Sequence, residues 1–390
     1  MSTSRRFCRS LSAFLLLAAV LAGGAGSSIL AVCGPFVDIS DANFCGFVLE
    51  IFYLGITTGT SATTYDPTSP VSRLQMAAFL SRTVDGVLRR GSPSAIADRF
   101  WTPQNDIALG LTTVGSPQLL KSDGADVWVA GGQAGTVVRV RASDGKILET
   151  WTGATAAFGV LIAMGRVMVT GSSSPGNLYQ IDPTQPAGVV TTVATNLGNL
   201  PNGIAFDGAR VWTANSGSPS VSIVTPAAAP PWTVTTVSSF SFPAGLVFDG
   251  QNIWVSNSGN SKLQQVDAAG AVLLTVTLGG TTPQYPAFDG SSIWVPSTTP
   301  SNVTVVRAST GAILTTLTGN GLSFCAAAAF DGQRILVTNE GNNSVSLFKA
   351  ADLSPLGNFP TGTASIPFGA ASDGMNFWVT LTNGNKLAKF

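Results

Sequence analysis

The sequence contains no histidine among its 390 residues, and its only glutamates are Glu50, Glu149 and Glu340. The absence of histidine excludes Ser-His-Asp and Cys-His triads, and it excludes zinc or iron sites with histidine ligands. There is no EF-hand calcium loop, and no glycine-rich phosphate loop follows a strand and opens a helix. The sequence therefore predicts no metal site and no bound cofactor, and it favours a binding protein over an enzyme.

Charge is also scarce. Charged residues make up 10% of the chain, and 20 basic residues balance 20 acidic ones. Because no basic run or patch is present, nucleic acid is not expected as a partner. The 43 glycines and 22 prolines are typical of a turn-rich β protein whose surface is built from Ser, Thr and Asn.

The one marked apolar run lies near the N-terminus. Residues 1–25 have the three parts of a signal peptide: Arg5, Arg6 and Arg9, then the apolar residues 11–21, then the small residues 22–25. The run is too short to span a bilayer as a mature helix. Arg5-Arg6 also permits a twin-arginine interpretation. The mature chain is predicted to be exported (extracellular, at the cell surface or periplasmic) and to have no transmembrane segment.

Cysteine is limited to four residues, of which Cys8 lies in the predicted signal peptide. Cys33 and Cys45 are near one another in an exported chain, which predicts a disulfide. Closing so short a loop would contribute on the order of 3 kcal/mol in the chain-entropy model. Lipidation of Cys33, after residues 30–32, is the alternative. Cys325 is then expected to be a small buried apolar residue.

A repeat organises the rest of the chain. An Asp-Gly turn recurs every 40 to 43 residues, with Met164-Gly165 at one degenerate position; its aspartates are Asp123, Asp207, Asp249, Asp289, Asp331 and Asp373. Other turn signals follow every 8–12 residues, so each repeat predicts four antiparallel strands. Seven repeats predict a mainly β fold with a seven-bladed β-propeller at residues 105–390.

A large residue follows each turn in the same register. These residues are Trp128, Met168, Trp212, Trp254, Trp294, Leu336 and Trp378. We interpret them as packing between neighbouring blades rather than as ligand-stacking residues. The repeated aspartates are expected to cap their turns.

The last repeat ends at Phe390 after three strand-like runs. The missing strand is predicted at residues 107–114, which precede the first repeat. Pairing this strand with the last blade would close the ring and remove an open sheet edge.

This repeat is similar to YVTN-type and NHL-type propellers. The segments 142–151 and 308–314 also resemble the blade motif of quinoprotein dehydrogenases, although a generic strand-turn-strand explains them more simply. The absence of histidine argues against a propeller that resembles the streptogramin lyases, because the chemistry of that family relies on histidine. The architecture hosts binding proteins and enzymes alike.

The resemblance implies a ligand-binding face. In such rings the loops that enter the inner strand and the loops that join the second and third strands share one face. The candidate binding residues there are Gln118, Asn202, Asn215, Asn257, Gln284, Tyr285, Glu340, Asn342 and Asn383. Amides and an aromatic ring suit hydrogen bonding to a glycan or a peptide. The alternative is that these amides satisfy turns.

Residues 33–90 have a different pattern. Apolar residues at helical spacing predict helices over 44–53 and 74–84, and Ser72 with Gln75 forms a capping box before the second. The segments 36–39, 55–59, 65–67 and 71–80 resemble an S-layer homology module. The resemblance implies binding to cell-wall polysaccharide, with Arg73 among the contacting residues and Asp38 near the groove. Arg73 could instead be solvated or paired with Asp66.

Residues 91–104 are predicted to be a linker between this module and the propeller. The sequence thus favours a non-catalytic exported protein with a wall-binding module and a propeller that binds a glycan or a protein. The alternative is a propeller enzyme, either a metal- or carboxylate-dependent lyase or hydrolase, or a quinoprotein-like oxidoreductase.

Overall fold

The structure is a computed structural model that describes residues 35–39, 42–53, 57–90 and 110–390. The chain divides into two compact units, Met1–Gly91 and Ser92–Phe390. The predicted signal peptide, the linker over 91–104 and Cys33 lie outside the described residues.

In its described residues the first unit contains two helices, α1 (Ala42–Tyr53) and α2 (Arg73–Arg90). Phe36, Ile39 and Val48 form its small buried core, and the ring of Phe36 lies 5.1 Å from that of Phe52. The predicted capping box is present, because the Ser72 N–H donates to Gln75 at 2.8 Å and the Gln75 N–H donates to Ser72 at 3.2 Å. The second helix is longer than predicted and extends to Arg90.

Residues 110–390 form seven antiparallel sheets. Blade 1 contains β2 (Pro117–Ser122), β3 (Asp126–Gly131), β4 (Thr136–Arg141) and β5 (Ile147–Thr152). Blade 2 contains β6 (Ala157–Ala163), β7 (Arg166–Gly171), β8 (Gly176–Ile181) and β9 (Thr191–Leu197). Blade 3 contains β10 (Pro201–Phe206), β11 (Val211–Asn215), β12 (Ser220–Thr225) and β13 (Thr233–Val237). Blade 4 contains β14 (Pro243–Phe248), β15 (Ile253–Asn257), β16 (Lys262–Val266) and β17 (Val272–Thr277).

Blade 5 has an interrupted inner strand. It contains β18 (Thr281–Pro283), β19 (Ala287–Phe288), β20 (Ser292–Thr299), β21 (Asn302–Arg307) and β22 (Ile313–Leu317). Blade 6 contains β23 (Cys325–Phe330), β24 (Arg334–Asn339), β25 (Ser344–Lys349) and β26 (Pro355–Pro360). Blade 7 contains β27 (Pro367–Ser372), β28 (Phe377–Leu381), β29 (Lys386–Lys389) and β1 (Gly110–Thr113).

The ring is closed by an N-terminal strand, as predicted. Strand β1 pairs antiparallel with β29, so the first strand of the chain completes the last blade. The inner strand β2 of blade 1 contacts both β6 of blade 2 and β27 of blade 7. Lys389 adds a link between blades 7 and 1, because its ammonium group donates to the Ala142 carbonyl at 2.8 Å. The predicted seven-bladed propeller is confirmed.

The Asp-Gly turns carry a repeated hydrogen-bond pattern. In six blades one aspartate oxygen accepts the backbone N–H groups two and three residues later at 2.6–3.0 Å. In five of these blades the other oxygen accepts the indole N–H of the tryptophan five residues later at 2.7–3.2 Å. The aspartates therefore cap the turns and also satisfy the buried indoles.

The two blades without tryptophan have different interactions at this turn. In blade 6, Asp331 accepts the side-chain N–H of Arg334 at 2.8 Å instead of an indole. In blade 2, Ala163 pairs with Arg166 across Met164-Gly165, both of which have positive φ (56° and 67°). This is the geometry of a two-residue type I′ hairpin, which needs no capping carboxylate.

The seven large residues in register after these turns pack between blades, as predicted. Each is buried in a core cluster that it shares with the following blade. Trp212 of blade 3 packs with Leu246 and Ile253 of blade 4, and Trp378 of blade 7 packs with Leu120 of blade 1. Burial of both sheet faces in this way makes each blade dependent on its neighbours.

Removal of the closing strand should destabilise the whole ring. We expect a fragment that begins at residue 115 to aggregate or to be cut rapidly by protease, because the edge of β29 is then unpaired. A matched fragment that begins at residue 105 keeps β1 and should remain monomeric. Size-exclusion chromatography with limited proteolysis compares the two, and a stable monomer from the shorter fragment would contradict the role of β1.

Loss of one turn aspartate should lower the stability of the propeller. Asp249→Ala removes the acceptor of the Trp254 indole and of two backbone N–H groups, so the free energy of unfolding should fall by about 2–4 kcal/mol. Asp267→Ala removes only solvent-exposed turn bonds in the same blade and should cost less. Denaturant titration measures both, and an equal loss would argue against the importance of the indole bond.

Candidate binding face

We call the end of the ring opposite the Asp-Gly turns the upper face. It is formed by the loops that enter the inner strands and by the loops between the second and third strands. Each inner strand begins with a residue that pairs with the end of the second strand, as Pro201 pairs with Asn215 and Pro367 pairs with Leu381. These pairings place equivalent residues of the seven blades at the same height.

A ring of seven residues with left-handed backbone surrounds the upper end of the channel. They directly precede the inner strand in six blades and lie within β18 in blade 5, have φ between 46° and 54°, and are called the rim: Ser116, Ala156, Leu200, Phe242, Thr282, Phe324 and Ile366. In six blades the rim carbonyl accepts the N–H that follows the second strand, at 2.8–3.2 Å. The conformation is therefore fixed by the repeat rather than by the side chain.

Four rim side chains are large, apolar and exposed. Leu200, Phe242, Phe324 and Ile366 expose 40%, 54%, 51% and 37% of their surface, respectively. The left-handed region is unfavourable for residues with a Cβ, and more so for a β-branched residue such as Ile366. Strained, exposed and apolar residues at one mouth of a channel are typical of a recognition surface.

Three aromatic rings meet across the channel inside this rim. Phe158, Tyr285 and Phe368 belong to blades 2, 5 and 7, and their ring centroids are 5.5–6.2 Å apart. Blade 2 is not a neighbour of blade 5 or blade 7, so these contacts span the axis of the ring. We call the three rings the aromatic triad.

The position of Tyr285 follows from the interrupted inner strand of blade 5. Tyr285 lies between Pro283 and Pro286, at the place where blades 2, 3, 4 and 7 have glycine. Those glycines allow close packing, because a Cβ on Gly369 would lie 2.7 Å from a backbone oxygen of blade 1. The prolines separate β18 from β19, and Tyr285 instead forms backbone bonds to Ala326 and Ala328 of blade 6.

A polar chain supports Tyr285. Burial raises the pKa of its hydroxyl, an interaction with the side chain of Asn202 opposes this rise, and the charge of Glu340 adds to it. Asn202 in turn accepts a hydrogen bond from the Ser172 hydroxyl at 2.7 Å. Tyr285 is therefore a neutral phenol at ordinary pH.

Glu340 is the one acidic residue in the described loops of the upper face. It follows β24, is half-buried, and its N–H donates to the rim carbonyl of Phe324 at 3.2 Å. Burial raises the pKa of its carboxyl group. Within residues 110–390 no hydrogen bond or ion pair reaches this carboxylate.

The structure divides the predicted binding residues into three groups. Asn202, Tyr285 and Glu340 come together around the channel, and Gln118 and Gln284 stand at the same height on β2 and just after β18. Asn342 and Asn383 are exposed, and both donate to backbone carbonyls of neighbouring loops.

Asn215 and Asn257 do not line the upper face. Both are fully buried, and their side-chain amides are satisfied inside the blade. Asn215 donates to Ser220 and Ser222, and Asn257 donates to Gln264 at 2.8 Å. They are corrected to structural residues, because each closes the upper end of a second strand.

The sequence did not single out the rim or two members of the aromatic triad. Phe158 and Phe368 each occupy the second position of an inner strand, where Gln118 and Asn202 were recognised by their polarity. Alignment of the seven repeats on the residue before each inner strand would have exposed the rim.

The candidate residues of the first unit have structural partners. Asp38 accepts the backbone N–H groups of Tyr65 and Asp66, which lower the pKa of its carboxyl group. Arg73 begins α2 and is exposed. Cys45 is disulfide-bonded, and its predicted partner Cys33 lies outside the described residues. Cys325 is buried as expected, and burial raises the pKa of its thiol to about 12.

The described residues offer neither a metal-binding cluster nor a membrane-spanning helix. They contain no group of three or more Cys, Asp or Glu side chains that could hold a metal ion. None of their helices is long and apolar enough to cross a membrane.

The comparison with known proteins identifies the fold. No protein-family model and no curated protein matches the chain. Among solved structures, it is similar to virginiamycin B lyase from Staphylococcus aureus (TM-score 0.61, 17% identity, 72% of this chain and 98% of that one). It is also similar to Kuenenia stuttgartiensis hydrazine synthase (TM-score 0.61, 14% identity, 74% of this chain and 99% of that one). A third similar structure is the propeller domain of Cps50 (Swd1) from Myceliophteria thermophila (TM-score 0.57, 9% identity, 72% of this chain and 99% of that one).

Relief of rim strain should stabilise the protein. Ile366→Gly removes the Cβ that disfavours the left-handed backbone, so the free energy of unfolding should rise by up to about 1 kcal/mol after the entropic cost of glycine. Ile366→Ala keeps a Cβ and should gain less. If chemical denaturation showed the glycine variant to be the less stable of the two, the rim would not be strained.

Proposed function

We propose that this chain is a non-catalytic exported protein of the cell surface or envelope, whose propeller binds a partner on its upper face. The observation that carries the proposal is the conjunction of the exposed rim with the aromatic triad on one face. An apolar surface around a few convergent polar groups is the usual character of a binding site. The apolar run at residues 11–21 supports export.

The proposal includes wall attachment by the first unit. The support is the resemblance of residues 36–80 to an S-layer homology module, together with two helices joined by a loop that Asp38 closes. In this proposal Arg73, at the exposed start of α2, contacts an anionic or hydroxyl-rich polysaccharide. Asp38 shapes the loop instead of contacting the glycan.

An enzyme is the second candidate, and one observation favours it. Glu340 is half-buried, its pKa is raised, and it lies beside a tyrosine at the mouth of the channel, which suits a general acid. Among the similar structures, one is described as a catalytically inactive histidine-to-alanine variant of virginiamycin B lyase with quinupristin. This chain has no histidine, so any activity here would use other groups. Metal analysis and an absorbance scan for a bound cofactor test this candidate.

Attachment to the wall is tested by sedimentation with purified cell wall of the source organism. The full chain should co-sediment, and Arg73→Glu should weaken retention by about tenfold because it replaces a cation with an anion in the contact. Arg307→Glu makes the same charge change on an exposed residue of the propeller and serves as the control. Equal retention of all three proteins, or of residues 105–390 alone, would contradict anchoring by the first unit.

A further inference from the structure

The upper face has a second ring of equivalent positions, at the residue that follows the second strand in six blades and lies near the end of β20 in blade 5. Its members are Gly132, Ser172, Ser216, Ser258, Thr298, Glu340 and Thr382. The hydroxyl groups at these positions serve the fold, as Ser258 donates to the Pro283 carbonyl at 2.7 Å and Thr382 donates to the Ile366 carbonyl at 3.1 Å. A carboxylate has no proton to donate, so Glu340 cannot play this role.

Glu340 is therefore unexplained by the repeat. Its backbone keeps the common bond to the rim, while its carboxylate has no partner within residues 110–390. An unpaired and half-buried carboxylate is costly unless a hydrogen-bond donor or a cation reaches it. Water can reach this half-buried carboxylate, and a ligand that brings a donor or a cation to it would stabilise the ionised form further.

The surroundings of Glu340 restrict what such a ligand can be. Phe324, exposed by 51%, accepts the backbone N–H of Glu340 at its carbonyl, and the charge of Glu340 raises the pKa of Tyr285 in the aromatic triad. Aromatic faces attract cations, and apolar rim residues attract apolar groups. A neutral glycan would supply hydroxyl donors to the carboxylate but no cation.

We propose that the upper face binds an extended protein segment, in which a lysine or arginine side chain pairs with Glu340 and flanking apolar side chains contact the rim. This inference rests on the proposed function of the upper face and names its partner. The basic side chain enters between Glu340 and Tyr285, and its aliphatic part lies against the aromatic triad. The rim residues Phe242, Phe324 and Ile366 then cover the neighbouring side chains of the segment.

The pairing predicts a pH dependence with a defined sign. A basic ligand favours ionised Glu340, so its affinity should be full above the pKa of that carboxyl group and should fall as the pH drops through it. Burial raises this pKa, so the loss should occur at higher pH than for an ordinary glutamate. Tyr285 is the titratable group identified as interacting with Glu340, and its own raised pKa keeps it neutral over this range.

The test uses the full chain and two blocked peptides, Ac-Leu-Arg-Leu-NH2 and Ac-Leu-Gln-Leu-NH2. Calorimetry should show that the arginine peptide binds more tightly than the glutamine peptide. Glu340→Gln should lower the affinity for the arginine peptide by at least about tenfold and leave the affinity for the glutamine peptide unchanged. Glu149→Gln removes a carboxylate from the outer strand β5 and should change neither affinity.

The outcomes separate this inference from the proposed function. The two peptides could bind with equal affinity, and a Phe242→Asp/Ile366→Asp variant could lose binding of both. That result would overturn the role of Glu340 but would retain the upper face as a binding surface. Absence of arginine-peptide binding at millimolar concentration, or unchanged binding in Glu340→Gln, would overturn the inference. Binding of a neutral N-acetylglucosamine oligomer, with no binding of either peptide, would overturn it in favour of a glycan.

Discussion

The hydrogen bond between a turn aspartate and a buried indole is the interaction on which this propeller depends. A tryptophan that fills the space between two blades must bury its N–H, and an unsatisfied donor there would cost about 1–3 kcal/mol. The aspartate five residues earlier accepts this N–H and also caps its own turn. One side chain thus couples the local turn to the packing between blades, and the sequence repeat follows from this double requirement.

The upper face obeys a different constraint. The loops there fix six of the seven left-handed residues by the same backbone hydrogen bond, whatever side chain each position has. A fold that required only stability would favour Gly or Asn at these positions. Phe242, Phe324 and Ile366 are exposed and unfavourable in this conformation, which is why we propose this face as the surface that binds a partner.

The architecture could be predicted because it rests on local and repeated signals. Asp-Gly turns and tryptophans in register define seven blades, and the missing strand of the last repeat points to residues before the first. The binding face was harder to predict from the sequence, because polarity alone does not distinguish Asn202, which supports Tyr285, from Asn215, which is buried. The aromatic triad joins residues of blades 2, 5 and 7, and such contacts depend on ring closure rather than on neighbouring sequence. The positive φ of the rim could not be inferred from residue type, since Leu, Phe and Ile carry no signal for it, although alignment of the repeats would have located these positions.

The most direct test of the account is hydrogen exchange of the full protein, measured by mass spectrometry with and without the solubilised envelope fraction of the source organism. The account predicts slower exchange in the loops of the upper face, at residues 198–202, 238–244, 321–326, 339–343 and 362–368. The Asp-Gly turns at the opposite end should be unchanged. Protection of those turns or of the outer strands, with the upper loops unaffected, would contradict it.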